Sequence, residues 1–174
     1  MGELLIRRLV PEDAPVYRAL RLRGFQEHAE AFTSSFEEES LRPLSYSEQR
    51  LAVDSAACFW GAFVDGQLAG LVGLDRETRI KNRHKAVVIG MVVAPEFAGL
   101  GLGRKLLDVL VQHARSVGLE LLVLTVTAGN TRAQQLYERA GFAVWGTEPR
   151  AIRVDNRYHD KVHMFLSLNF PPSP

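Results

Sequence analysis

The chain has 174 residues, 47% hydrophobic and 24% charged, enough for one globular domain with a sizeable core. A net charge of +1, with basic residues interspersed among acids, offers no field for nucleic acid or anionic lipid, so neither is expected as a partner. The single cysteine, Cys58, excludes an internal disulfide, and without a leader at 1–6 or an apolar run of membrane-spanning length a cytoplasmic location and no membrane partner are expected.

Residues 4–10 read as a first strand, and Pro11-Glu12-Asp13 opens a helix that carries Val16, Tyr17 and Leu20 on one face. The stretch 32–44, with the acidic run Glu37-Glu38-Glu39, lacks clean periodicity and reads as loop with a short helical piece. A second helix is expected around 47–53. Strands at 58–64 and 67–75 meet at Asp65-Gly66, a hairpin signal, and Cys58 beside Phe59 and Trp60 reads as a buried strand residue. After a basic connection at 79–85, the near-continuous apolar run 86–94 has the pattern of a strand buried on both faces.

That strand breaks into Gly99, Gly101 and Gly103, glycines that let the backbone turn tightly and bare its amides to a phosphate. Leu102, Leu106, Leu107, Leu110, Val111, Ala114 and Val117 then recur at helical spacing, so a helix at 103–117 begins where the glycines end. Its first turn has unpaired N–H donors and a positive dipole end, together an anion site suited to a diphosphate. The spacing G-x-G-x-G is neither the dinucleotide fingerprint nor the P-loop, which weakens both of those assignments.

Gly118 ends that helix, and 121–127 reads as a buried strand. Asn130 caps a short helix at 131–140, closed by Gly141. Ala133, Leu136, Tyr137 and Ala140 share one face, and Tyr137 returns over Asn130 two turns along. A last pair of strands, 142–154 and 158–168, precedes a proline-rich tail that cannot continue a sheet. The order of elements is that of a mixed α/β sandwich.

Four features in order, Val92-Val93-x-Pro95, Gly99-x-Gly101-x-Gly103, Asn130-x-x-Ala133-x-x-x-Tyr137 and Gly141-Phe142, make the chain resemble the GNAT superfamily of N-acetyltransferases from about Ile6 to Leu168. The resemblance implies a single N-acetyltransferase domain over 1–174, with a core at 4–168 and the tail at 169–174. It implies an α/β acyl-CoA N-acyltransferase fold, a mixed, splayed central sheet of six to seven strands flanked by helices. The strands 86–94 and 121–127 would be parallel neighbours that part at their C-terminal ends to admit a pantetheine arm.

It also implies acetyl-CoA as co-substrate and no metal, with acetyl passing to a primary amine of a small molecule or peptide by direct attack in a ternary complex. Carried onto this sequence, the cofactor-binding residues are Met91, Val92, Val93, Gly99, Leu100, Gly101, Leu102, Gly103, Arg104, Asn130, Ala133 and Tyr137. The catalytic pair is Tyr137 and Asn130. The family loop usually opens with Arg or Gln where this chain has Ala98, so one side-chain contact to the pyrophosphate is missing. Relatives are often homodimers, though no residue here marks an interface.

Acetyl transfer from a thioester needs a neutral amine, stabilisation of the oxyanion and a proton for the departing sulfur. Backbone N–H groups at 91–93 suit the oxyanion, and the Tyr137 phenol, protonated at neutral pH, suits the sulfur. No Asp or Glu lies in 86–94, which leaves Glu37, Glu38, Glu39, His159 and Asp160 as candidate bases, while Tyr158-His159-Asp160 falls where superfamily members often complete the acceptor pocket. Arg104, Lys105, Arg132 and Arg139 are candidates for the ribose phosphate. His159 and His163 share a strand face, but no further ligands complete a metal set. Two readings from other classes stand beside the enzyme: a CoA-binding sensor without turnover, and a nucleotide domain whose loop holds ATP or NAD.

Overall fold

A computed structural model of the chain describes residues 2–168; the proline-rich tail at 169–174 lies outside the described residues. Seven strands form one sheet in the order β1-β2-β3-β4-β5-β7-β6. In chain order these are β1 (Leu4–Arg8), β2 (Ala57–Val64), β3 (Gln67–Arg76), β4 (Lys85–Val93), β5 (Leu121–Thr127), β6 (Ala143–Val154) and β7 (Arg157–Ser167). Five helices flank it: α1 (Ala14–Glu27), α2 (Phe36–Ser40), α3 (Leu44–Leu51), α4 (Leu102–Ser116) and α5 (Thr131–Arg139). All pairings are antiparallel except β4 with β5.

Strand alternation feeds a core on each face of the sheet. Cys58, Trp60 and Ala62 of β2 point to one side, where they pack with Leu102, Leu106, Leu107, Leu110 and Ala114, the buried stripe of α4. Phe59 and Phe63 point to the other side, against Tyr17 and Leu20 of α1 and Leu51 of α3. Tyr137 joins the α4 side, so α4 and α5 share one layer and α1 and α3 the other. Cys58 is buried within the α4 layer.

Several boundaries differ from those read in sequence. The first helix is preceded by a separate turn of 3-10 helix at Pro11–Asp13, where Asp13 accepts the Val10 amide at 2.8 Å and pairs with Arg7 at 2.7 Å. The loop at 32–44 contains α2, capped by Ser35, and α3 starts at Leu44 because extended Pro43 forms its N-terminal boundary. The largest correction concerns β4. Only Ala86 and Val88 are fully buried, and the rest of the strand is half-exposed. Its pairing with β5 runs only through Lys85↔Leu121, Ala86↔Leu122 and Val87↔Val123, after which the two strands part. The apolar residues beyond Val88 therefore line a gap instead of filling a sheet interior.

Candidate active site

The turn before α4 is built from backbone. Gly99 has φ +83° and Gly101 φ +70°, and a Cβ on either would meet nothing within 4 Å. Open space on that side and a left-handed backbone together leave a surface a ligand can approach closely. Gly101 is the N-cap of α4, with no capping side chain, and the first intrahelical bond comes from the Lys105 amide to the Gly101 carbonyl at 3.2 Å. The amides of Leu102, Gly103 and Arg104 thus lack intrahelical acceptors. Gly103 serves a different purpose from its two neighbours. It is helical, and a Cβ there would lie 3.2 Å from Leu136 and 4.0 Å from Met91 Sδ, so its lack of a side chain lets α4 pack closely on α5 and β4.

The strand β4 carries a bulge at the gap. Leu71 pairs with Val92 and Gly73 with Ile89, which leaves Gly90 and Met91 opposite the single residue Val72, with Gly90 at φ +65°. The Ala94 amide donates to Ala69 O at 2.8 Å, so strand alternation turns the Val93 amide toward the open edge. Gly90 inside an apolar run was the sequence signal for this bulge.

A cavity of about 500 Å³ fills the space where β4 and β5 part. Met91, Asn130, Ala133 and Tyr137, expected at the site from sequence, all line it. Asn130 Oδ1 also accepts the Ala133 amide at 3.2 Å, so it is helix cap and cavity residue at once. Tyr137 is 7% exposed, with its ring edge-on to Phe142, and burial pushes its phenol up to about 12. Val92 and Val93 are not in the lining; they pack against the cores on opposite faces of the sheet.

Other expected residues sit elsewhere. Arg104 reaches Asp108 at 2.8 Å and the Arg139 carbonyl at 3.0 Å, which pins α4 to the end of α5. Glu38 closes the cap of α2: its amide donates to Ser35 Oγ at 3.1 Å and its carboxylate accepts from that hydroxyl at 3.2 Å. It does not line the cavity; Glu39 does, paired with Arg42 at 3.2 Å. Tyr158 is exposed beneath Arg150, His159 stands opposite Ile152, and Asp160 accepts the Arg150 amide at 2.8 Å, all three outside the lining. The next residue, Lys161, lines it, since a one-residue step along a strand changes face. Lys161 is buried, donates to Thr33 Oγ1 at 3.1 Å and has its ammonium pushed down by burial. His163 bonds Glu148 at 2.9 Å, and among the described residues no three His, Cys, Asp or Glu side chains converge as metal ligands. Nor is any described helix long and apolar enough to cross a membrane.

The wall formed by α1, α2 and α3 was not anticipated. Arg21, Phe25, Arg42, Tyr46 and Arg50 line it beside Glu39. Arg21 lies one helical turn from Tyr17 on the buried stripe of α1, which also holds Leu20, Gly24 and Phe25. A charged residue within an apolar stripe was the available signal.

Comparison with known proteins places the chain as a whole. Residues 22–142 match the model of the Acetyltransferase (GNAT) family. A GNAT-family acetyltransferase from Streptococcus pneumoniae superposes with a TM-score of 0.86 at 26% identity, over 96% of this chain and 100% of that one. A Salmonella typhimurium structure solved with its cofactor acetyl-CoA shares the fold, with a TM-score of 0.81 at 22% identity over 99% and 98% of the two chains. Mycothiol acetyltransferase from Propionibacterium freudenreichii is 44% identical over 66 residues, 38% of this chain but only 20% of that relative's length. With the family model spanning β2 to β5 and the whole of α4 and α5, the chain belongs to the acetyltransferase (GNAT) family.

Proposed function

We propose that this chain transfers acetyl from acetyl-CoA to a primary amine of a small molecule or peptide, by direct attack with both substrates bound. The observation that carries this is the parting of β4 and β5 after Val87↔Val123, which opens the cavity of about 500 Å³ onto the Tyr137 phenol. The turn at 99–104 fits a diphosphate: its glycines leave open space and its amides lack acceptors. Ala98 adds no side-chain contact, so the grip there is made by backbone.

Acetyl-CoA, when bound, supplies a thioester carbon open to attack by nitrogen. The protein's part is to hold, orient and stabilise. A backbone N–H of 91–93 on the open edge of β4 is a preorganised donor for negative charge developing on the acyl oxygen. Tyr137 keeps its proton across the physiological range because burial raises its pKa to about 12. Since that lies well above the ordinary range of a thiol, Tyr137 Oη stabilises the departing sulfur by donating a hydrogen bond, without full release of its proton. Asn130 fixes the start of α5 and so the reach of Tyr137. Of the candidate bases Glu37, Glu38, Glu39, His159 and Asp160, Glu39 lines the cavity and is the candidate to receive the proton of the amine.

Calorimetry with acetyl-CoA and CoA on the folded protein, followed by thiol release with a panel of amines, tests this reading. Binding of both carriers and amine-dependent thiol release are expected. Binding without release from any amine would make the chain a sensor, and stabilisation by ATP or NAD without any by CoA would remove the assignment altogether.

A further inference from the structure

The cavity wall carries four cationic side chains, Arg21, Arg42, Arg50 and Lys161, and one carboxylate, Glu39. Glu39 is engaged by Arg42. Among the described residues Arg21, Arg50 and Lys161 have no carboxylate within ion-pair distance. Arg7, Arg23 and Arg104, by comparison, are paired with Asp13, with Glu27 and Glu96, and with Asp108. Glu39, the carboxylate in this wall, is bonded to Arg42 and makes no ion pair with Arg21 or Arg50.

What holds Arg21 instead is aromatic. Its guanidinium lies 5.1 Å from the Phe25 ring centroid, 5.4 Å from Tyr17 and 5.8 Å from Phe59, faces that orient the fork without neutralising it. Arg50 has a buried Nε with no hydrogen-bond partner, its NH1 donates to the Tyr46 hydroxyl at 3.4 Å, and the buried Tyr17 hydroxyl stands close to the same guanidinium. Burial pushes the Arg21 guanidinium down from its ordinary value, yet an arginine stays charged at any physiological pH. Two planar, charged donors with open valences in a half-enclosed cavity match a carboxylate.

Position narrows the class further. A Cβ on Gly90 would lie 2.8 Å from Arg21 NH1, so the guanidinium abuts the bulge of β4 beside Met91. The attacking amine must reach that same bulge. An anion held by Arg21 thus lies beside the place the amine must reach, the spacing of a carboxylate and an amine borne on one carbon. Phe25 and Phe32 line the adjoining wall and leave an apolar place for the rest of it.

We propose that the acceptor is a free α-amino acid whose carboxylate is held by Arg21 and Arg50. This rests on the acetyl-transfer reading of the same cavity. The amine nitrogen forms the bond to the acyl carbon, the carbon–sulfur bond breaks with its electron pair left on sulfur, and the surplus proton of the nitrogen passes by way of Glu39 and solvent to that sulfur. A polyamine, which has no carboxylate, meets an excess of positive charge here and is disfavoured.

The test compares the twenty common α-amino acids, their carboxamides and spermidine, by calorimetry in the presence of CoA and by thiol release from acetyl-CoA. At least one amino acid is expected to bind and to exceed its carboxamide in kcat/KM by roughly thirtyfold or more, the scale of a lost charge-assisted pair. Carboxamides equal to acids, a preference for spermidine, or no amino acid bound overturns the proposal. Arg21→Met should collapse the ratio of acid to amide, whereas a merely structural defect lowers both alike and keeps the ratio. Should that variant fail to fold, the ratio in the unaltered protein still decides. Failure of the acetyl-transfer reading itself shows separately, as amino-acid binding without any affinity for acetyl-CoA.

Discussion

At the 99–104 turn the groups that face a ligand are backbone amides, exposed by two left-handed glycines and by a helix start with no capping side chain. On the α1–α3 wall they are guanidinium groups and aromatic rings brought together from helices some thirty residues apart in sequence, over a strand bulge from a third segment. The difference teaches how each is encoded. A site made of amides needs only a local run of glycines in register with a helix, and it tolerates change in the side chains around it. A site made of side chains depends on which faces of distant elements meet, and it is correspondingly open to change of specificity.

The largest effect that sharpens this contrast is expected at Tyr137, where the two sides meet. Tyr137→Phe should lower kcat roughly a hundredfold, the low end of what a positioned proton donor contributes, while acetyl-CoA affinity stays within about threefold; steady-state kinetics and calorimetry read the two separately. Alkaline stability gives a second measure. The Tyr137 pKa is raised to about 12 in the fold by burial, so the unfolded chain loses this proton first, near its ordinary value of about 10. Stability is therefore constant below that pH and falls as pH rises toward 12, by roughly 1–3 kcal/mol, and denaturant melts at stepped pH should show this loss in the wild type and not in Tyr137→Phe.

A smaller effect is expected at the backbone side. Gly101→Val forces a β-branched residue into φ +70° at a cost of roughly 1–2 kcal/mol, which should raise the acetyl-CoA Kd about tenfold and leave the acceptor KM nearly unchanged. An equal change in both constants would break the separation of the two regions. Smallest is Asn130→Ala, which removes the cap of α5 and should cost about 1 kcal/mol, a drop of roughly 2–4 °C in Tm by thermal melt.

The cavity residues that sequence reasoning found, Met91, Asn130, Ala133 and Tyr137, belong to the local units that carry the motif, while those outside the lining include Val92 and Val93 of the cofactor set and Glu38, Tyr158, His159 and Asp160 on the acceptor side. Glu38 and Glu39 differ by one residue, yet one caps α2 and the other lines the cavity. Asp160 and Lys161 are likewise adjacent, and alternation along β7 gives the cavity to the lysine. Nothing in an isolated stretch of sequence chooses between such neighbours.

By itself the sequence determined the order of strands and helices, the glycine turn before α4, the cap of α5 and the recurrence of Tyr137 over Asn130, because backbone conformation and helical periodicity act over a few residues. The tertiary structure alone decided where β4 parts from β5, after three residue pairs, that Gly103 serves packing while Gly99 and Gly101 serve the turn, and that Arg21 and Arg50 share a wall without an ion-pair partner. Those outcomes depend on the register and facing of segments far apart in the chain, and such contacts come into being only when the layers close on the sheet.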